Sequence, residues 1–428
     1  MAAYRFVHAA DIHLDSPLRS LALRDPNLAE LVGNATRRAF VRIVDLCLDE
    51  QVDALILAGD LYDGDQTSMK TARFLSEQIR RLHEAGVFVY VIRGNHDALS
   101  RITKELTFPD SVKLFGGRAE AVMAVRSDRD FQVAIHGLSF ANPLAPESLI
   151  SKYKPRIDDA VNIGIAHTSL GGAPGHDPYA PCSVADLQAT GFAYWALGHV
   201  HKRSVVEGKC AIVMPGMPQG RDINEDGAKS VTLVTIADDR SIRIEERVTS
   251  AAQFERLSFD ATGVDDWRQL VGALGEALER ALAGVASEHW VARVRLTGAT
   301  PLAWRIRRDL DLLKAEVDDR GSVIGTCWVE KLEVACRPPG AMDSPADDPV
   351  TQLRRLIGAE ILRSEAYQAE VVDIAEELRA QLPPECRGLF GGDEPAFKAV
   401  LAELVKEGAE DVLARLHSSA EGGGPDAS

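Results

Sequence analysis

Nitrogen and oxygen donors of the kinds that hold metal ions recur in Asp11-Ile12-His13, Gly59-Asp60, Gly94-Asn95-His96-Asp97, His167 and Gly198-His199-Val200-His201, with Pro215-Gly216 a weaker further segment. In Asp11-Ile12-His13 and His199-Val200-His201 one apolar residue separates two polar ones, so in extended backbone both side chains of a pair point the same way. Each pair can meet an ion from one direction. Gly59, Gly94 and Gly198 precede the donors, which suits a backbone that turns sharply and comes close to an ion. Carboxylate, amide and imidazole together favour Mn²⁺, Fe²⁺ or Zn²⁺, whereas oxygen alone would favour Mg²⁺ or Ca²⁺. Two ions need a shared ligand. Asp60 is the choice, because a carboxylate has two oxygens and can span ions about 3.5–4 Å apart. One Asp-x-His or His-x-His alone would mean little, since such residues are common near strand ends. The ordered set points to a dinuclear site.

Each donor segment sits at or just past the end of an expected strand, where loops of an open α/β sheet converge. Those strands are Arg5–Ala10, Ala54–Ala58, Val87–Ile92, Val133–Ile135, Val161–Ala166, Tyr194–Leu197 and Ala211–Met214, whose near-continuous apolar character implies burial on both faces. Helical periodicity in Phe40, Ile43, Val44, Cys47 and Leu48, and in Ala72, Leu75, Ile79 and Leu82, predicts helices covering a sheet. From Gln253 the texture changes to a helix over Trp267–Leu282, a strand over Trp290–Leu296, a helix over Leu302–Lys314 and a strand over Cys327–Val334. The expected class is therefore α/β: a β-sandwich flanked by helices over 1–245, a small α+β capping domain over 250–337, a C-terminal helical region over 349–417 and a disordered tail over 418–428. A proline-rich linker from Arg337 to Pro349 separates the last two folded parts.

The 428 residues carry a formal net charge of −16. That balance opposes unaided adhesion to nucleic acid, which relies on Lys and Arg. It leaves a nuclease open, because bound cations neutralise site carboxylates and a partner can supply basic surface. The six cysteines, Cys47, Cys182, Cys210, Cys327, Cys336 and Cys386, lack any C-x-x-C spacing and read as reduced small hydrophobes. No stretch approaches the roughly 18 consecutive apolar residues of a membrane span. A soluble, cytoplasmic protein is expected.

The ordered series from Asp11-Ile12-His13 to His199-Val200-His201 resembles the calcineurin-like metallophosphoesterase signature. More narrowly, His8 to Ser16, His167-Thr168-Ser169-Leu170, Tyr179-Ala180-Pro181-Cys182, Tyr194 to His201 and Pro218-Gln219-Gly220-Arg221 resemble SbcD-type DNA repair exonucleases of the YhaO-like branch. This resemblance implies two divalent ions, Mn²⁺ first and Fe²⁺ or Zn²⁺ as alternatives. Asp11, His13, Asp60 and His201 would hold one, and Asp60, Asn95, His167 and His199 the other. A hydroxide activated by both would attack phosphorus, His96 would serve the leaving oxygen, and Asp97 would orient His96. The implied function is hydrolysis of DNA phosphodiester bonds, exonucleolytic or endonucleolytic, beside an SMC-like or AAA ATPase docked on the cap or C-terminal helices; a homodimer is also compatible. The alternatives are a phosphodiesterase or phosphatase of small nucleotides or phosphoproteins, and a non-catalytic scaffold for the ATPase.

Other residues have plainer readings. His8 and His136 lie within strands and read as core groups; His83, His289 and His417 read as surface, and His176 as a turn residue. Asp15 and Asp63 could orient ligands or cap helices. Arg93 and Arg221 could grip phosphate or pair with a carboxylate. Trp304-Arg305-Ile306-Arg307-Arg308 could track a DNA backbone, but a solvated helix face is the reading adopted. The apolar stripe Leu401, Leu404, Val405, Val412, Leu413 and Leu416 could dock a partner helix or close an internal bundle.

Overall fold

The computed structural model describes residues 3–16, 26–62, 68–97, 108–124, 131–140, 145–171, 179–339, 349–382, 387, 390–391 and 393–421. Asp63, His176, Cys386, the side chain of His417, most of the expected linker and the tail from 422 lie outside them. Two compact units are distinguished, Met1–Phe254 with Val285–Trp290, and Glu255–Gly284 with Val291–Ser428.

The first unit begins with β1 (Tyr4–Ala9), α1 (Pro26–Gly33), α2 (Ala35–Asp49), β2 (Ala54–Ala58), α3 (Met69–Glu84), β3 (Phe88–Ile92), β4 (Val112–Leu114), β5 (Glu120–Met123) and β6 (Gln132–Gly137). It continues with β7 (Ala160–His167), α4 (Val184–Ala189), β8 (Tyr194–Gly198), β9 (Ser204–Val206), β10 (Ala211–Met214), β11 (Ser230–Ile236) and β12 (Ile242–Val248). Among the described residues these strands form two six-stranded sheets, in the orders β12-β11-β1-β2-β3-β4 and β5-β6-β7-β8-β10-β9.

Because side chains alternate along a strand, each sheet buries both faces. Phe6, Ile56, Tyr90 and Ile92 share a core with Ile135, Ile163, Ile165 and Tyr194 of the second sheet. On the outer face of the first sheet, Val7, Leu55, Leu57 and Val89 pack with Phe40 and Ile43 of α2 and Leu75 and Ile79 of α3. Trp195, Leu197 and Ile212 pack with Leu187 of α4 on the outer face of the second. The architecture is thus a sandwich of two sheets with helices outside, the mixed α/β class expected.

Five strands of this unit, β4, β5, β9, β11 and β12, escaped sequence reasoning. In β11, Ser230, Thr232 and Thr235 interrupt the apolar run, yet the strand pairs antiparallel with β1 and carries β12 on its far side. The core histidines behave as read. His8 is fully buried between Tyr194 Oη and Leu197 O, each 3.0 Å away, and His136 Nε2 lies 2.8 Å from Asn162 Oδ1. Cys47, Cys182, Cys210, Cys327 and Cys336 are free thiols.

The second unit holds most of β13 (Ala252–Asp260) and of β14 (His289–Thr297), with α5 (Trp267–Leu282), α6 (Ala303–Arg308), α7 (Leu310–Ile324) and β15 (Cys327–Val334), in the sheet order β13-β14-β15. The single helix expected over Leu302–Lys314 is two, because Asp309 leaves helical geometry at φ −105°, ψ 33°. The second of them runs on until Gly325, at φ 84°, ends it. The basic cluster is engaged within this unit: Arg305 lies over the Trp267 ring, Arg307 pairs with Asp411 at 3.1 Å and Arg308 with Asp309 at 2.7 Å. Helices α8 (Pro349–Leu356), α9 (Glu365–Gln381) and α10 (Glu394–Glu421) follow, the last extending past the boundary at 417 that composition suggested. Leu401 and Leu413 of the apolar stripe are buried, while Leu404, Val412 and Leu416 are exposed. No helix among the described residues is long and apolar enough to cross a membrane.

A Cβ at Gly164 would lie 2.4 Å from Trp195 Cε3. Overpacking of that kind costs about 1–3 kcal/mol, so Gly164→Ala should lower the urea midpoint accordingly, and an unchanged midpoint would contradict this packing. Burial drives the His8 pKa down from 6.5 to about 3, against the opposing hydrogen bond to Leu197 O. Between those values the unfolded chain takes up a proton that the folded chain refuses, so stability falls as pH drops through that window. His8→Asn should flatten the fall; an unaltered slope would show that another group causes it.

Candidate metal centre

Strands β1, β2 and β3 run parallel, as do β7 and β8. Asp11, Asp60 and Asn95 therefore follow carboxyl ends in one sheet, while His167 ends β7 and His199 follows β8 in the other. The turns are stitched together: Asp11 N–H donates to Gly59 O, His13 N–H to Asp60 O, and Thr168 N–H to Gly198 O, at 3.0–3.1 Å. Backbone from the two sheets nearly touches, since a Cβ at Gly198 would sit 2.2 Å from Ala58 O. Asp11, His13, Asp60 and His199 all have positive φ, at 52°, 46°, 53° and 102°. Such conformations cost about 1–3 kcal/mol each and persist only where surrounding bonds enforce them.

The turns gather the expected donors. Donor atoms of Asp11, His13 and His201 lie within 4.8 Å of one another, as do those of Asp11, Asp60 and His167, and either group could hold an ion. Asp11 belongs to both groups. Its oxygens each accept the His199 N–H at 3.0 Å. His13 Nε2 and His201 Nε2 are 3.2 Å apart, and Asn95 Oδ1 is 3.0 Å from His167 Nε2. Asp60 Oδ2 is 3.2 Å from the same nitrogen, and Asp60 Oδ1 accepts the His96 N–H at 3.0 Å.

The donor set fits cations on chemical grounds. His167 Nδ1 is 2.9 Å from Ala58 O, a carbonyl that can only accept, so Nδ1 carries the hydrogen. A neutral ring would then turn its Nε2 lone pair toward the oxygens of Asn95 and Asp60. Positive charge must stand among these acceptors, as a proton or as a cation. Without an ion a proton would take that place: burial opposes it, but Asp60, Asp11 and Ala58 O outweigh burial and raise His167 to about 9. Burial likewise opposes ionisation of Asp60, yet His167, His13 and His96 hold its carboxyl well below the usual range. Burial raises Asp11.

His96 is exposed, its ring centroid 5.3 Å from that of His13. Asp97, expected to orient it, instead accepts Leu61 N–H at 2.9 Å and Tyr62 N–H at 3.0 Å. Burial and the nearby Asp60 push Asp97 up to about 7 despite those amides. It ties down the turn that carries Asp60. Asp15, open to either reading from the sequence, is gripped twice by Arg37 at 2.6 Å and accepts from Thr71 Oγ1. Arg221 is committed to Glu225, whereas the buried Nε of Arg93 has no hydrogen-bond partner among the described residues. Glu225 itself escaped sequence reasoning. Its Oε1 lies 3.0 Å from His201 Nδ1, and the only sequence signal would have been the i, i+4 spacing to Arg221. Burial opposes its charge, but His201 and Arg221 hold it well below the usual carboxylate range.

Residues 4–203 match the family described as calcineurin-like phosphoesterase, and residues 254–337 match the middle domain of the metallophosphoesterase YhaO. An uncharacterized metallophosphoesterase, YhaO from Bacillus subtilis, is 35% identical over 60% of this chain and 63% of its own length. The DNA double-strand break repair protein Mre11 from Sulfurisphaera tokodaii is 26% identical over 56% of this chain and 61% of its own. This chain thus spans less than two thirds of either relative. A crystal structure of a dimetal phosphatase from Danio rerio aligns over 58% of this chain and 98% of its own at 11% identity, with a TM-score of only 0.34. The chain therefore carries a calcineurin-like metallophosphoesterase domain followed by a YhaO-type middle domain, and is homologous to YhaO and to Mre11-type DNA repair proteins.

Proposed function

We propose that this protein hydrolyses phosphodiester bonds in DNA with two divalent ions, Mn²⁺ foremost, as a repair exonuclease or endonuclease. The observation that carries the reading is the convergence of buried acceptors from Asp11, Asp60 and His167 and the half-buried Asn95 with the paired Nε2 atoms of His13 and His201. Asp11, His13, Asp60 and His201 would hold one ion; Asp60, Asn95, His167 and His199 would hold the other. When bound, the ions supply an acidified water and offset the charge of the phosphodiester. Everything else falls to the chain. His96, exposed beside His13, gives a proton or a hydrogen bond to the departing sugar oxygen. Asp97 keeps the Asp60 turn in place through Leu61 and Tyr62. DNA as substrate is supported by the name of the Mre11 relative as a double-strand break repair protein. A net charge of −16 favours a partner that brings basic surface. An SMC-like ATPase on the C-terminal helices, where Leu404, Val412 and Leu416 are exposed, fits that need.

Cleavage of a labelled duplex should stop on chelation, return with Mn²⁺, and fall about 10²–10⁴-fold in His96→Ala with metal content unchanged. Faster turnover of a phosphomonoester than of DNA would transfer the site to small substrates. Gly94 abuts a proposed ligand from each sheet: its added Cβ would lie 2.2 Å from Asp60 Oδ1 and 2.8 Å from His167 Nε2. Gly94→Ala should therefore leave a folded protein that binds less metal, and wild-type metal content in that variant would refute the arrangement.

A further inference from the structure

We infer that Glu225 is a positioning residue for the metal centre: it fixes the ring of His201 so that Nε2 presents a lone pair to an ion, and Arg221 holds Glu225 in place. This rests on the two-ion reading above and adds to it a residue far along the chain.

Glu225 Oε1 lies 3.0 Å from His201 Nδ1. An ionised carboxylate can only accept, so Nδ1 carries the hydrogen and a neutral ring leaves Nε2 bare. That Nε2 is the atom 3.2 Å from His13 Nε2, inside the donor group of Asp11, His13 and His201. His167 obtains the same tautomer from a backbone carbonyl, Ala58 O. His201 obtains it from a charged group, which strengthens the bond and makes the imidazole a better donor.

The segment that delivers Glu225 is built for that purpose. Arg221 binds both carboxylate oxygens through Nε, at 3.2 and 3.1 Å, and through Nη2 at 2.6 Å to Oε1; its backbone N–H donates to Oε2 at 2.8 Å. Gln219, almost wholly buried, donates to Gly220 O and Ala252 O and accepts from Ala251 N–H, each at 2.7 Å. Met217 N–H reaches the His201 carbonyl at 3.3 Å, and Gly216 has φ +75° with room for no side chain, since a Cβ would lie 2.6 Å from His201 O. The loop after β10 therefore grips His201 at its backbone and at its ring. Gly216, from the weaker donor segment of the sequence, supplies the close approach in this grip.

The test uses the full chain with Glu225→Ala, Glu225→Gln and Arg221→Met. Nitrogen-15 NMR of the metal-free protein, labelled at histidine, reads the His201 tautomer, and calorimetric titration with Mn²⁺ reads the two binding steps. Wild type should show the Nδ1–H tautomer and two ions. Glu225→Ala should mix the tautomers and weaken one step about 10–100-fold while the other holds. Glu225→Gln, whose amide oxygen can still accept, and Arg221→Met should fall between, and either serves if the alanine variant does not fold. A single Nδ1–H tautomer and unchanged affinities in the variants would overturn the inference while leaving the two-ion reading intact. Wild type binding fewer than two ions would overturn both.

Discussion

Several buried oxygen and imidazole acceptors face one another in this protein with too few hydrogens to share, and that arrangement needs positive charge at its centre. His167 shows it most clearly. Its Nδ1 hydrogen is spent on Ala58 O, and its Nε2 looks at oxygens of Asp60 and Asn95. A proton can satisfy one such contact. Two divalent ions could satisfy the whole set, and would supply the chemistry of a phosphoesterase.

The fold supplies rigidity where this unfavourable gathering occurs. Parallel strands from two sheets end side by side, and residues on the turns take left-handed backbone that only a dense bond network maintains. Gly59, Gly94 and Gly198 let the turns approach within contact of His167 and Ala58 O. Around the donors stand groups bonded to them or to their turns: Asp97 on the Asp60 turn, Ala58 O behind His167, and Glu225 behind His201. The second unit carries its own sheet and helices, and its Arg305 to Arg308 run is spent on Trp267, Asp309 and Asp411.

Much of this was legible in the residues. Strands Ala54–Ala58, Ala211–Met214 and Cys327–Val334 and helix Trp267–Leu282 stand at the expected positions because their apolar periodicity is unbroken and turn residues flank them. Strands β11 and β12 were illegible: buried Thr232 and the alternating charges of Ile242–Val248 blur the pattern, and β1, which pairs with β11, lies at the other end of the domain's sequence. The Asp309 break depends on tertiary packing that local propensity does not encode. Donor segments were recognisable because each sits beside a strand end. Glu225 was not, since 24 residues separate it from His201 and it lies in a polar loop. Asp97 was assigned to its sequence neighbour, whereas a carboxylate can reach the amides of a turn 36 residues away.

Anomalous diffraction from crystals of the full chain grown with Mn²⁺ tests the central claim most directly. The account predicts two peaks about 3.5–4 Å apart, one among Asp11, His13 and His201, the other among Asn95, His167 and His199, with Asp60 between them. A single peak, or none within reach of these side chains, would contradict it.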